Sequence, residues 1–548
     1  MTRKKLKSVV KRAVEDLQKK GELPEFAVRD IRIERPVRKD QGDYSTAIAM
    51  QAASLNRRKP KTLAKIIRAE LKKDEALKNI VSDIRVASPG FINFYLSDEY
   101  LKKSLWGVFS KKDYGRINIG RDKPVNLEFV STNPTGELHV GHARTAFYGD
   151  VLARILERTR FNVTREYYVN NAKQSAQIKE LGKTALKKGT SYRSPYLDKK
   201  IKKYSKNLKR IKKFETAGYF LSQKIQKDVK EFLEKDVGIR FDVWFEEEGL
   251  YKKGEVEKVL KELKKRDLVY EKEGALWLKT TKFGDSHDQV IVRSTKENTY
   301  FISDIAYHVN KQKRGFEKMI DIWGSDHQGH AKRMKAAAKM FKIKDLNILV
   351  AQMVRLKGGE KLSKRKGNIV TVKDLVDYVG IDAVRYFYLT KSLDTQMEFD
   401  MDLARKQSQK NPVYYIQYTH ARICSILCKS EILNSKHETN SKSQTLNSKP
   451  QIRKSDLEAL KEKGEFDLIR KLVVFPEIIE DIAKDYQVHR LTTYLHELSQ
   501  QFNQFYRDFK VISDNKEEQA ARLAVVISTG VIIKECLELL GISAPEKM

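Results

Sequence analysis

The run Pro134-Thr135-Gly136-Glu137-Leu138-His139-Val140-Gly141-His142 sets two imidazoles three residues apart, between a strand-like stretch (VNLEFVS) and an amphipathic helical pattern. Residues three apart share a helix face, and the free N–H groups and dipole of a helix start favour phosphate. His139 and His142 can donate hydrogen bonds to the oxygens of a phosphate under attack. Gly141 lacks a side chain, which lets a flat base stack against the backbone. Alone, such a pair is as readily a helix cap as a site.

A second candidate begins some 220 residues later, Gly358-Gly359-Glu360-Lys361-Leu362-Ser363-Lys364-Arg365-Lys366-Gly367. A glycine-flanked, lysine-rich loop can close on a triphosphate and neutralise charge that builds on departing pyrophosphate, although alone it reads as an ordinary basic surface loop. A third run, Gly324-Ser325-Asp326-His327-Gln328-Gly329-His330, follows the strand-like MIDIW. Ligands bind at the carboxyl ends of strands in open α/β sheets, and Asp326 there can accept ribose hydroxyls. The two histidines of this run could ligate a metal, but no cysteine or evident third ligand lies near, so no metal site is expected. Glu128 and Asn133, ahead of the histidines, and Tyr300 and Asp304 on TYFISD form an acidic, polar set. Buried carboxylates call for a cationic partner, and a guanidinium supplies a bidentate one. Salt-bridged structural acids are the plainer alternative.

These residues need a scaffold that brings distant segments together. Strand-like VNLEFVS, FNVTREYYV, DQVIVRS with TYFIS, MIDIWG and NILVAQMVRL alternate with helical runs. That alternation predicts an α/β fold: a doubly wound parallel-sheet (Rossmann-like) catalytic domain over 121–400. An N-terminal α+β domain over 1–110 precedes it, with IRIERP as a short strand and DIRVASPGFINFYLS as paired strands. A C-terminal all-α helical bundle over 404–548 follows, and the Ser/Asn/Lys-rich stretch 434–454 reads as a flexible loop between helices.

Composition excludes other classes. With 40% hydrophobic residues the chain can build large cores, and three cysteines in 548 residues cannot staple a disulfide scaffold. The most apolar run, Leu523 to Ile533, is too short to span a bilayer and reads as a buried helix. The first twenty residues follow helical spacing rather than a signal-peptide pattern. A cytoplasmic protein with no membrane association is expected. The net charge is +35, and residues 183–235 carry 17 Lys+Arg against 5 Asp+Glu. Such a surface favours a polyanion such as nucleic acid, although a solvated lysine-rich face has the same composition.

Taken together, HVGH and KLSKR on a doubly wound sheet resemble the HIGH and KMSKS signatures of class I aminoacyl-tRNA synthetases. No insertion of a couple of hundred residues leaves room for an editing domain, which suits a substrate discriminated by charge and hydrogen bonds. Longer blocks resemble arginyl-tRNA synthetase: EFVSTNPTGELHVGHARTAFYGD, REYYVNNAKQSAQ, TYFISDIAYHVNK, WGSDHQGHAKRM and NPVYYIQYTHARICSIL. The likeness spans nearly the whole chain. Asp382-Ala383-Val384-Arg385 resembles that family's DALR signature. Two departures stand out: Asn170-Asn171-Ala172-Lys173 replaces the usual Asn-Asp-Ala-Gly, and Lys296-Glu297-Asn298 replaces an Asp-Gly.

The resemblance implies the following roles. Glu128, Asn133, Tyr300 and Asp304 hold arginine. His139, Gly141, His142, Gly324, Asp326, His327 and Lys364 meet ATP, with His139, His142, Lys361 and Lys364 serving the chemistry. ATP enters as Mg-ATP, arginyl-adenylate and pyrophosphate form, and the arginyl group passes to the terminal adenosine of tRNA(Arg). The N-terminal unit would touch the tRNA elbow. In the bundle, Tyr414, Tyr418 and Arg422, with Tyr415, Phe502, Phe505 and Tyr506 nearby, are candidates for contact with splayed bases. A monomer is expected.

Overall fold

The computed structural model describes all 548 residues except 24, 27–30, 57, 112, 358–369 and 438–451. The N-terminal part opens with α1 (Thr2–Lys19), which buries Leu6, Val9, Val10, Ala13, Val14 and Leu17 along one stripe. Strand β1 (Tyr44–Thr46), helix α2 (Pro60–Leu71), strands β2 (Val81–Ala87) and β3 (Phe91–Leu96), and helix α3 (Asp98–Ser110) complete it. The three strands form an antiparallel sheet in the order β1-β3-β2. IRIERP, expected as a strand, contributes only a single bridge between Glu34 and Ser45.

The centre is a five-stranded parallel sheet. Its strands are β4 (Pro124–Glu128), β5 (Asn162–Val169), β6 (Val243–Glu246), β10 (Lys318–Gly324) and β11 (Asp345–Ala351). Helix α4 (Val140–Arg158) follows β4. Helices α5 (Ala176–Ala185), α6 (Pro195–Lys203) and α7 (Phe214–Glu231) lie between β5 and β6, and α8 (Glu247–Lys252) follows β6. The spatial order β6-β5-β4-β10-β11 reverses direction between β4 and β10. That reversal is the topological switch point, where doubly wound sheets open a crevice beyond their carboxyl ends. β4 is central and covered on both faces, so Val125, Asn126, Leu127 and Glu128 are all buried.

Two expected sheet strands lie elsewhere. DQVIVRS supplies β9 (Gln289–Val292), which joins β7 (Val269–Lys272) and β8 (Ala275–Leu278) in a separate antiparallel sheet. TYFIS is not a strand at all: Tyr300 starts helix α9 (Tyr300–Lys313). Phe301, Ile302, Ile305, Ala306 and Val309 form an apolar stripe along it, a spacing of 1, 3, 1 and 3 that five residues are too few to display, and Ser303, Tyr307, His308 and Lys311 are buried as well. β6 escaped the sequence reading because four residues flanked by acids carry no clear alternation. Helix α10 (Gln328–Met340) joins β10 to β11. NILVAQMVRL divides into β11 and β12 (Val354–Lys357), and β12 pairs in parallel with β13 (Met397–Asp400). Helices α11 (Val372–Val379) and α12 (Ile381–Tyr388) lie between those two strands.

From Pro412 the described chain is helical: α13 (Pro412–His437), α14 (Lys463–Val473), α15 (Phe475–Asp485), α16 (His489–Asp508) and α17 (Lys516–Leu540). The Leu523–Ile533 run lies within α17 and is largely buried against the other helices, as its short apolar length suggested. No helix among the described residues is long and apolar enough to cross a membrane.

Candidate active site

The chain leaves β4 under backbone strain. Val130 and Ser131 have φ of +70° and +41°, a region that β-branched residues in particular avoid. Hydrogen bonds hold the turn open: Tyr168 N–H donates to Ser131 Oγ at 3.0 Å, and Asn170 Nδ2 donates to the Ser131 carbonyl at 3.2 Å. The chain is thus re-aimed at the crevice, where Asn133 is exposed.

His139 is the N-cap of α4. Its Nδ1 accepts from Gly141 N–H at 3.1 Å, while His142 Nδ1 accepts from His139 N–H at 3.2 Å, and the rings lie 3.6 Å apart. A Cβ on Gly141 would stand 2.9 Å from the His139 ring, so this glycine makes room for the reciprocal cap. Because each Nδ1 accepts, each neutral ring carries its proton on Nε2 and is a single N–H donor. Burial lowers the pKa of both, that of His142 to about 3 with help from His139. Neutral donors are what a phosphate oxygen can use without a proton changing hands.

The second signature is tied to the first by backbone. Lys361 and Lys364 lie outside the described residues, but the chain enters that stretch from β12 and resumes at Val370. There Val140 N–H donates to the Val370 carbonyl at 3.3 Å, and Val372 N–H donates to the Leu138 carbonyl at 2.8 Å. Arg144, buried on α4, donates to the carbonyls of Gln352, Ser392 and Thr395. Described residues on either side of that stretch, Gln352 before it and Val370–Val372 after it, are therefore bonded to α4 and its cap. Gly324 and Asp326 sit across the switch point at the end of β10. Asp326 is exposed, faces His139 closely enough to oppose the fall of its pKa, and lies 3.5 Å from His327 Nε2.

The acidic set divides into two parts. Glu128 does not face an open cup: its Oε2 accepts from Lys311 Nζ at 2.7 Å, and the same ammonium donates to Asp321 Oδ1 at 2.7 Å. His308 donates to Asp321 Oδ2 and to the Asp304 carbonyl, both at 2.7 Å, which requires protons on both ring nitrogens. Burial opposes charge throughout, raising Glu128. For Asp321, Lys311 and His308 outweigh it and hold the carboxyl at about 2; for Lys311 and His308, the facing carboxylates raise the pKa. The plainer alternative, a salt-bridged structural acid, describes the contact Glu128 makes here.

Asp304 stands forward of this network. Its Oδ2 accepts from His330 Nε2 at 2.6 Å, and the His330 ring is packed by Trp323 and by Tyr300, a residue that is itself 56% exposed. Sequence reasoning named Asp304 and Tyr300 but gave no role to His330, and it missed Glu247 and Tyr168. Glu247, buried at the start of α8, is pushed up to about 7 by burial and then by Asp304. Its Oε2 accepts from Ala172 N–H at 3.4 Å, while Glu248 accepts from Lys173 N–H at 3.0 Å. The departure Asn171-Ala172-Lys173 thus packs against these acids. Tyr168, whose pKa is raised by burial and then by Glu247, Asp304, Tyr251 and Glu128, has a buried hydroxyl with no partner. An unsatisfied hydroxyl among carboxylates is a seat for a cationic donor group. The signal that could have found Glu247 is the run Glu246-Glu247-Glu248 in an otherwise basic chain.

In the bundle, Tyr414 and Tyr418 stack with centroids 6.4 Å apart, and the Arg422 guanidinium lies 4.8 Å from the Tyr418 ring. All three are half-buried along one face of α13. Phe502 and Phe505 are core residues, and Tyr506 is 40% exposed.

A switch-point crevice with a histidine-capped helix, to which the chain returns at Val370–Val372, fits a class I tRNA synthetase catalytic domain, and the family model of that description, "tRNA synthetases class I (R), catalytic domain", matches residues 105–177 and 170–391. The models "Arginyl tRNA synthetase N terminal domain" and "DALR anticodon binding domain" match 4–96 and 416–548. The arginine–tRNA ligase of Caldanaerobacter subterraneus is 38% identical over 100% of this chain and 99% of its own length. That of Bacillus subtilis is 37% identical over 99% and 98%. The Thermus thermophilus arginyl-tRNA synthetase structure shares the fold over 100% of both chains, at 20% identity and a TM-score of 0.74. The chain belongs to the arginyl-tRNA synthetase family, and its enzymatic class is arginine–tRNA ligase.

Proposed function

We propose that this chain activates L-arginine with Mg-ATP and transfers it to the 3′-terminal adenosine of tRNA(Arg), with the residues named above in distinct roles. The arginine carboxylate attacks the α-phosphate in line, and pyrophosphate leaves. Catalysis is positioning and charge stabilisation. His139 and His142 donate Nε2–H to α-phosphate oxygens, Lys361 and Lys364 draw charge off the departing pyrophosphate, and Gly141, Gly324, Asp326 and His327 border the nucleoside. Among the described residues no group of three or more His, Cys, Asp or Glu side chains is set to hold a metal, so magnesium would come with the nucleotide phosphates.

The guanidinium would sit between Asp304 and Glu247, against the Tyr168 hydroxyl and under Tyr300. Glu128 acts from behind, through Lys311, and Asn133 meets the α-amino and carboxylate end. The division of labour follows the three units 1–110, 121–400 and 404–548: elbow contact, chemistry, and anticodon contact through Tyr414, Tyr418 and Arg422. A monomer in the cytoplasm completes the reading, and a reducing compartment suits three unpaired cysteines.

The observation that supports this reading is the backbone pairing of Leu138–Val140 with Val370–Val372, which brings the residues that follow the second signature against the turn that carries the first. The experiment is a charging assay with each of the twenty labelled amino acids, beside ATP–pyrophosphate exchange with and without tRNA. Arginine alone should be charged. Charging of another amino acid in its place, or exchange without any charging, overturns the reading.

A further inference from the structure

Asp304 is held by two imidazoles that are bonded in different ways. His308, one turn further along α9, donates to the Asp304 carbonyl and to Asp321 Oδ2, both at 2.7 Å, so each of its ring nitrogens is engaged. It fixes the backbone. His330, on α10, reaches the carboxylate instead: its Nε2 lies 2.6 Å from Asp304 Oδ2, and its side chain is 4% exposed. The other ring nitrogen, Nδ1, is buried and has no partner among the described residues. A buried polar atom without a partner costs stability. A histidine that served packing alone would pair both nitrogens, as His308 does. The one bond His330 makes is to the carboxylate set against the proposed guanidinium.

Neighbouring rings lock its direction. Trp323, from the end of β10, stacks on the His330 ring with centroids 5.3 Å apart and planes 28° apart, and Phe301 meets it edge-on at 5.5 Å. Nε2 is therefore aimed at one point. A second proton on Nδ1 would find no acceptor, so the single proton of the ring is on Nε2. Such a donor fixes the plane of the carboxylate without cancelling its charge, which a lysine or arginine in the same place would do. Asp304 keeps that charge for a ligand. Its side chain is 22% exposed, and among the described residues nothing donates to its Oδ1.

We propose that His330 is the positioning residue of the guanidinium seat: it holds Asp304 Oδ2, so that Oδ1 meets the arginine side chain in a carboxylate oriented before the ligand arrives. Preorganisation of this kind strengthens binding, because the Asp304 side chain has little rotational freedom left to lose. His330 does not itself touch the substrate and acts only through Asp304. The proposal rests on the arginine-charging reading above, and its test separates the two.

The full-length enzyme carrying His330→Phe or His330→Met, which remove the donor, is compared with His330→Gln, whose amide nitrogen can still donate to Asp304. Isothermal titration reads the arginine Kd, and pyrophosphate exchange with tRNA(Arg) present reads the ATP KM. Both donor-free variants should weaken arginine binding about tenfold, with the ATP KM unchanged, and His330→Gln should recover most of the loss. Their thermal midpoints should hold or rise, since an apolar side chain replaces a ring with an unpartnered nitrogen and Asp304 is open enough to be hydrated. A merely structural histidine gives the opposite pattern, a lower midpoint with the arginine Kd at its wild-type value. On an Asp304→Ala background, His330→Phe should add no further loss, because its only route to the ligand is gone. A wild-type Kd in both donor-free variants, no recovery with glutamine, or the full loss repeated on the Asp304→Ala background overturns the positioning role and leaves the charging reading intact. A wild-type enzyme that neither binds nor charges arginine sinks that reading itself, whatever the variants do.

Discussion

Arg385 places Nη1 2.8 Å from Asp150 Oδ2, with both side chains all but sealed from water. The same guanidinium donates to the Leu540 carbonyl at 3.3 Å and to the Val237 carbonyl at 2.8 Å. One side chain thus joins the helix that starts at His139, the end of the basic insertion and the last turn of the bundle. Other bonds follow the same seam: Arg158 pairs with Glu535 at 2.9 Å, and Arg154 donates to the Glu538 carbonyl at 3.2 Å. The DALR-like signature is therefore a junction. Its Asp382 accepts from the Ser543 hydroxyl and from Gln417.

Asp150→Ala should cost about 3–5 kcal/mol, because it strands a buried guanidinium with one partner removed. Urea unfolding of the full chain, followed by tryptophan fluorescence, reads this as an earlier first transition. Gly541→Ala should act on the same junction, since Gly541 has φ of +67° and a Cβ there would fall 2.3 Å from Arg385 Nη1. Midpoints equal to wild type in both variants would show that the junction does not limit stability.

His142→Ala should lower kcat for pyrophosphate exchange by about 10²–10³, the cost of losing one preorganised donor, with a smaller change in the arginine KM. Because His142 is held neutral down to about 3, the pH profile of activation should show no His142 step above about pH 5. The stability sign runs the other way from a salt-bridged histidine. The unfolded ring binds a proton below its ordinary value of 6.5 and the folded ring does not, so stability is lost as pH falls from 6.5 toward 3. His142→Asn should flatten that fall.

Much of this was legible in the chain. A cap, a glycine and two histidines after an apolar strand define β4 and α4 locally, and the sheet follows from alternation. Where the reading failed, the cause was length. TYFIS is too short to show its period, so α9 was taken for a strand, and β6 has four residues without alternation. The partner of Glu128 was invisible because Lys311 lies 183 positions away and its meeting with Glu128 depends on α9 being helical. Asp304, read on a strand, is on that same helix, four residues from Tyr300, which is why the two still share a face. Glu247 approaches Asp304 only once β6 joins the sheet.

Lys364→Ala should depress the forward rate of adenylate formation far more than the affinity for arginine, since its proposed partner is charge that develops as pyrophosphate leaves. Single-turnover quench-flow with labelled ATP measures the first quantity, and equilibrium binding of arginine the second. Equal single-turnover rates in variant and wild type would remove the lysine from that step.

Asp304→Ala should raise the arginine KM sharply and leave the ATP KM near its wild-type value, because a charged partner of the guanidinium is lost. Glu247 adds a pH dependence to the same seat. Its carboxyl is raised from an ordinary 4.5 to about 7, so in the empty site it holds a proton across that window. Folding stability accordingly falls as pH rises through the window, and a guanidinium placed against the carboxylate reverses the cost and expels the proton. Arginine affinity should therefore climb as pH rises from about 5.5 to about 7.5, by no more than tenfold per unit, and then level. Asp304, Glu248 and the hydroxyls of Tyr168 and Tyr251 surround the group. Asp321 is held at about 2 by Lys311 and His308, and Asp321 in turn raises His308. Isothermal titration in buffers of different ionisation heat counts the released proton directly. Glu247→Gln should bind arginine more weakly, release no proton and show a flat affinity profile; a variant that keeps the wild-type slope would mean that another group carries the proton.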